Sequence, residues 1–198
     1  MAPFRSLGNA LSSFRDFYAI TGGSGPDAGG GGPSPISASG GNQTDSNGFT
    51  NGDYKYHVFT SPGALTVSSG NDEIEFLVVA GGGGGGWGNG GAGGAGGLRT
   101  NDPGVPSPIR ISDPVSLSPG PYTITVGDGG ASNDSPFSNR TGGNSSIGSL
   151  VVASGGGGGG PAPSASDMDG GSGGGQQGSA AGDSIASPDG LTPTVQGS

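Results

Sequence analysis

A single histidine and a single lysine, His57 and Lys55, stand two residues apart in the run Tyr54-Lys55-Tyr56-His57-Val58. Such a pair could move a proton or meet a phosphate, but no Ser–Asp constellation accompanies it, and a structural histidine is expected. The only glutamates, Glu73 and Glu75, lie two apart on one face of a strand-like run. That places both on one exposed edge, whereas carboxylate catalysis of glycoside hydrolysis needs a pair facing each other across a cleft. Asp167 with Asp169, and Asp128 with Asp134, carry the oxygen ligands a hard cation prefers, and read more readily as solvated loops. The chain has no cysteine, hence no disulfide, thiolate nucleophile or thiolate metal site. No enzyme, cofactor or metal is expected from this inventory.

Glycine-rich motifs call for the same scrutiny. Polyglycine satisfies G-x-G-x-x-G trivially, but nucleotide binding also needs a helix start and a downstream acidic residue for the ribose, and neither is present. No lysine follows a glycine block, so a phosphate-binding Walker loop is excluded. Gly22-Gly23-Ser24-Gly25-Pro26-Asp27 fits the first six positions of a calcium-binding nonapeptide, but the apolar position is Gly29 and the unit does not repeat. Asn42, Asn133, Asn139 and Asn144 begin Asn-x-Ser/Thr sequons that serve equally as turn chemistry. Trp87, the only tryptophan, directly follows a hexaglycine. It either packs on the glycines or offers an aromatic contact to a receptor such as a surface sugar.

The composition explains why side-chain chemistry is so thin. Glycine and proline supply 50 and 16 of 198 residues, whereas Leu, Ile, Val and Phe together supply 33. Both fractions lie on the low-complexity side of globular norms. The net charge of −9 repels a nucleic-acid backbone. No run approaches the roughly 18 apolar residues of a membrane span, and the opening residues lack the apolar core of a signal peptide. The apolar residues nevertheless come in short bursts, which argues for strands rather than disorder.

Four regions follow from that distribution. In residues 1–21, Phe4, Leu7, Leu11, Phe14 and Tyr18 are spaced 3-4-3-4, the stripe of a two-heptad amphipathic helix. So short a helix is marginal alone, so its aromatics predict an anchor that docks on another protein or self-associates. Residues 22–48 contain one large apolar residue, Ile36, and read as a Gly/Pro/Ser linker. Residues 49–154 hold five to seven strand candidates, around 54–60, 65–67, 73–80, 122–126 and 147 with 150–153, with weaker ones at 110–111 and 115–117. Separated by Gly, Pro and Asn turns, they predict a small antiparallel β-sandwich with a glycine-rich insertion at 81–97. Residues 155–198 form a second glycine-rich region.

The strongest internal signal is a repeat. Phe76-Leu77-Val78-Val79-Ala80 runs into six glycines at 81–86, and Leu150-Val151-Val152-Ala153-Ser154 runs into six more at 155–160. Side-chain-free chain can adopt a threefold polyproline-II-like helix of about 3.1 Å rise per residue, without internal hydrogen bonds. Its N–H and C=O groups point sideways and must find partners. Several such helices can therefore pack and bond to one another, offsetting the large entropy that glycine loses on ordering. A floppy loop is the alternative.

The succession FLVVAGGGGGG, GGAGGLRT, SLSPGPYTITVGDGG, SIGSLVVASGGGGGG resembles the glycine-rich repeat domain of tailed-phage tail-fibre and adhesin proteins, most of all those of marine cyanobacterial phages. The resemblance covers about residues 54–196, closing on Asp189-Gly190-Leu191-Thr192-Pro193-Thr194-Val195-Gln196. FRSLGNALSSFRDFYAITG is similar, less specifically, to the attachment segment of phage fibres. The family implies a mainly β fold carrying polyglycine-II helices, and a location in the virion, on the tail or particle surface. It also implies other virion proteins as partners through residues 1–20, and a host glycan or envelope protein as target. A homotrimer is expected of a fibre, with no nucleic acid and no membrane insertion. Capsid decoration and a non-phage glycine-rich extracellular structural protein are the alternatives. Family members generally continue with further glycine blocks past TPTVQG, whereas this chain stops at Ser198. The bundle is then short, completed by other subunits, or cut from a longer product.

Overall fold

In the computed structural model the chain divides into two units, Met1–Gly32 and Pro33–Ser198. The described residues, all in the second, are 34–42, 48–51, 53–88, 90–105, 110–131, 140–160, 165–175, 181–186 and 188–191. The expected helix at 1–21, with Phe4, Leu7, Leu11, Phe14 and Tyr18, lies outside them.

The described chain is mainly β, with antiparallel sheets and one short 3-10 turn at Ala165–Met168. The strands are β1 (Ser34–Ser39), β2 (Phe49–Asn51), β3 (Tyr54–Tyr56), β4 (Gly63–Glu73), β5 (Leu77–Val79), β6 (Leu98–Thr100), β7 (Ser116–Leu117), β8 (Gly120–Thr125), β9 (Ser145–Ile147) and β10 (Val151–Ala153). The main sheet runs in the order β1-β4-β8-β9-β10, with β7 also pairing β4; β2-β3 and β5-β6 form two separate two-stranded sheets. Alternation decides the register. Val67 and Ile124 turn inward while their neighbours face water, and a slip of one residue would invert the pattern. The β9–β10 hairpin closes on Gly148 at φ +54°, a conformation that glycine adopts without strain.

Two expectations need correction here. Residues 34–39, read as linker, are instead the edge strand of the main sheet, pairing antiparallel with β4 from Ser34↔Asn71 to Ser39↔Thr66. Composition misled because an edge strand is held by main-chain hydrogen bonds and needs little apolar burial. The second concerns the turn expected between the candidates at 65–67 and 73–80: its Gly70-Asn71 lies within β4. Gly70 passes through at φ +92° beside a register shift in β1, and a Cβ there would strike the Pro35 carbonyl. This is a bulge where only glycine fits.

The core gathers where the two halves of the repeat meet. Phe76, Val78 and Ala80 from the β5 run, Val151 and Ala153 from β10, and Ile111 and Val115 form one buried cluster. Val78 and Ala80, like Val151 and Ala153, turn inward by the two-residue strand period. The two matching valine-alanine strands thus hold the starts of both hexaglycines at one edge of the core.

Candidate functional site

From this core the glycine segments run side by side, and their hydrogen bonds recur every third residue. Ala80, Gly83 and Gly86 donate N–H to the carbonyls of Gly97, Gly94 and Gly91, at 3.0, 2.8 and 2.8 Å. One residue further on, Gly81 and Gly84 donate to Gly143 and Arg140. From the second hexaglycine Gly156 and Gly159 donate to Gly81 and Gly84, while Gly157 and Gly160 donate to Ser172 and Gly175. In the reverse sense Gly91, Gly94 and Gly97 donate to Gly160, Gly157 and Ser154. A repeat of three on each face means three residues per turn, with successive residues addressing different neighbours. Both hexaglycines are therefore bonded on several sides, and the second, with residues 154–160 all buried, lies at the centre.

Packing explains the absence of side chains. A Cβ on Gly157 would strike the Met168 carbonyl, one on Gly156 that of Gly94, and one on Gly159 that of Gly91. The first hexaglycine is nearer the surface and less demanding. Gly83 and Gly86 back onto the Gly157 and Gly160 carbonyls, whereas a Cβ on Gly85 meets nothing and one on Gly82 has its nearest neighbour at 3.7 Å. Residues 82 and 85 are exposed, as are Ala92 and Ala95 in the adjacent segment. Every third position there faces water, which is where this lattice admits a methyl group.

Residues 58–197 match the family model described as a glycine-rich domain. The chain belongs to this glycine-rich domain family. No curated protein and no solved structure matches it.

The glycine-rich domain is tied together by a few polar side chains that composition did not single out. The side chains of Arg99 and Asp189 are fully buried and form an ion pair of 2.9 Å between Nη2 and Oδ1. The same Arg99 nitrogen donates to the Leu191 carbonyl at 3.2 Å. Asp189 accepts from Leu191 N–H on Oδ1 and from Val152 N–H on Oδ2, at 3.1 and 2.8 Å. One carboxylate thus clasps β6, β10 and the 188–191 turn. Asn144 Oδ1 caps the second hexaglycine by accepting from Gly155 N–H at 2.9 Å, and Arg140 is buried at 1% exposure with its Cβ side toward Gly158. The available signal was positional: Arg99 and Arg140, two of the five arginines, each stand one residue from a glycine segment.

Of the residues singled out from sequence, Trp87 lies at the turn joining segments 81–86 and 90–97, closed by Gly90 N–H to the Trp87 carbonyl at 3.0 Å. It is 47% exposed. The bonds linking Gly86, Gly91, Gly160 and Gly175 place the ends of four segments beside that turn, so Trp87 marks the tip of the bundle. His57 Nδ1 meets the Gly40 carbonyl at 2.8 Å, which makes it an N–H donor to main chain. Asp169 Oδ1 accepts from Asp183 N–H at 2.7 Å, and Asp128 contributes its carbonyl to Gly143 N–H. Among the described residues no three acidic, histidine or cysteine side chains cluster as a metal site would require. Asp134, Asn133 and Asn139 lie outside the described residues.

Proposed function

We propose that this glycine-rich domain protein is a non-enzymatic structural component of a phage virion, a tail fibre or tail-attached fibre part. Residues 1–20 would fasten it to the particle through Phe4, Leu7, Leu11, Phe14 and Tyr18, and the stretch after them would give reach. The β region then acts as a small sandwich that seats a bundle of polyglycine-II helices and projects its tip toward the host surface. The observation that carries this reading is the buried, side-chain-free centre at 155–160, hydrogen-bonded to its neighbours at every third residue. Such an interior offers no reactive group and does offer stiffness, because each segment is cross-bonded to several others. The tail-fibre resemblance of residues 54–196 and of the opening segment supports the virion setting.

Two experiments test it. Particles assembled with a chain lacking residues 1–20 are expected to contain none of it when their proteins are measured by mass spectrometry. Incorporation at the full-length level would reject the anchor, and incorporation into heads rather than tails would favour capsid decoration. At the tip, Trp87→Ala is expected to leave thermal stability within about 0.5 kcal/mol, the usual range for surface substitutions. If Trp87 is an anchor for a host glycan or envelope protein, the same change weakens adsorption to host cells by roughly 2 kcal/mol, about thirtyfold. Unchanged adsorption would remove Trp87 from the contact.

A further inference from the structure

The two small sheets, β2–β3 and β5–β6, each leave one side of a strand open. On β5 the main-chain groups divide by parity. Phe76 donates N–H to Asn101 Oδ1 at 2.9 Å and Ala80 donates to the Gly97 carbonyl at 3.0 Å, so the even-numbered residues address β6 and the chain flanking it. Leu77 and Val79 turn their N–H and C=O groups the opposite way, where no other strand pairs with β5 among the described residues. The two residues are 66% and 53% exposed. Beside them lies a cleft of about 720 Å³, walled by Tyr56, Val58, Phe59, Ile124 and Ile147. A strand occupies about 4.8 Å across the sheet, roughly 10 Å between layers and about 3.3 Å along its length per residue, about 160 Å³ in all. The cleft has room for roughly four to five such residues.

A row of main-chain donors and acceptors with apolar walls fits a polypeptide strand better than a lipid or a sugar, because only a strand answers alternating N–H and C=O groups. The chain carries an unseated strand of that kind. All six residues of β2 and β3 are exposed, and Phe49, Tyr54 and Tyr56 are 44, 55 and 47% exposed. A lone two-stranded hairpin is marginal in water. Within its own chain β3 lines the same cleft as Leu77 and Val79 without pairing with β5, and its root is held in place. Asn42 donates N–H to the Val58 carbonyl at 3.0 Å and accepts from Thr60 and Ser61 N–H on Oδ1, and His57 bonds the Gly40 carbonyl. The charges complement one another as well: Lys55, the only lysine, is exposed on β3, and Glu73 and Glu75, the only glutamates, are exposed at the end of β4 and just before β5.

We propose that β3 of one copy lies along the open side of β5 in a second copy of this chain. The hairpin and β5–β6 then become one four-stranded sheet, with Lys55 against the Glu73–Glu75 edge. Donation from each copy to the next closes a ring. This interface stands independently of the virion reading. The intact chain is expected to elute as a dimer or trimer by size exclusion with light scattering. Leu77→Lys and, separately, Val79→Pro should each weaken association by roughly tenfold or more. Neither should alter the far-UV circular dichroism, since neither side chain is buried and the Val79 N–H does not bond β6. The chain has no cysteine of its own, so mixing a Lys55→Cys chain with a Glu75→Cys chain under oxidation should yield a disulfide-linked heterodimer. A monomer at the highest soluble concentration would overturn the proposal. So would association unaffected by both Leu77→Lys and Val79→Pro, or a Lys55→Cys/Glu75→Cys double variant that cross-links only within one chain.

Discussion

Gly157→Ala is expected to destabilise the domain by at least about 3 kcal/mol, whereas Gly85→Ala, in the other hexaglycine, is expected to be neutral or mildly stabilising. Gly157 is buried, donates N–H to the Ser172 carbonyl at 3.0 Å and accepts from Gly94 N–H at 2.7 Å. The added methyl group would strike the Met168 carbonyl with Gly174 N close behind at 2.9 Å, so neighbouring main chain has to give way. Overpacking alone costs about 1–3 kcal/mol, and each buried main-chain group parted from its partner adds about 1–3 more. At Gly85 the methyl group meets nothing and φ is not positive. There alanine narrows the unfolded ensemble, a gain of about 0.4–1 kcal/mol. Thermal unfolding should therefore show Tm lower by roughly 6–12 °C for Gly157→Ala and up to about 4 °C higher for Gly85→Ala. Equal, small shifts for both would mean that the glycine segments are slack rather than packed. The threefold hydrogen-bond scheme would then have to be abandoned.

The second large effect is expected at the clasp. Asp189→Ala leaves the Arg99 guanidinium buried without its carboxylate and strips Val152 and Leu191 N–H of their acceptor. Breaking one side of a buried ion pair costs about 3–5 kcal/mol, a large part of the roughly 5–15 kcal/mol that holds a typical domain. Denaturant titration should show the midpoint shift with little change in slope. Replacing both partners, Arg99→Met with Asp189→Leu, should be less harmful than Asp189→Ala alone, because no charge is then stranded. Were the double variant as unstable as the sum of the two singles, the pair would not be acting as a unit. Residues 188–191 thereby become part of the fold's closure rather than a trailing end.

Much of the molecule was legible residue by residue, and the misses share a cause. The strands at 54–56, 77–79 and 151–153 fall within the apolar bursts that suggested them, and β8 overlaps the burst at 122–126 but starts two residues earlier, because alternation in a half-buried strand is written in the side chains. β1 was missed because an edge strand is held by its main chain, and Ser34–Ser39 advertises nothing else. Gly70 misled because one residue type serves both turns and bulges. Asp189 was noticed only within a closing motif; nothing local marks it as the partner of Arg99, ninety positions earlier. Trp87 follows a glycine block in the sequence, but only the bonds joining Gly86, Gly91, Gly160 and Gly175 make that end the tip of the bundle.

By itself the sequence determined a chain poor in reactive side chains, mainly β in its apolar bursts, and marked by two matching strands that each lead into six glycines. Tertiary structure alone decided which glycines are indispensable. A residue with no side chain carries no pattern of its own, so its environment is set by whichever main chain is packed against it. Gly157 and Gly85 look identical in the sequence, yet one faces the Met168 carbonyl at the bundle centre and the other faces solvent.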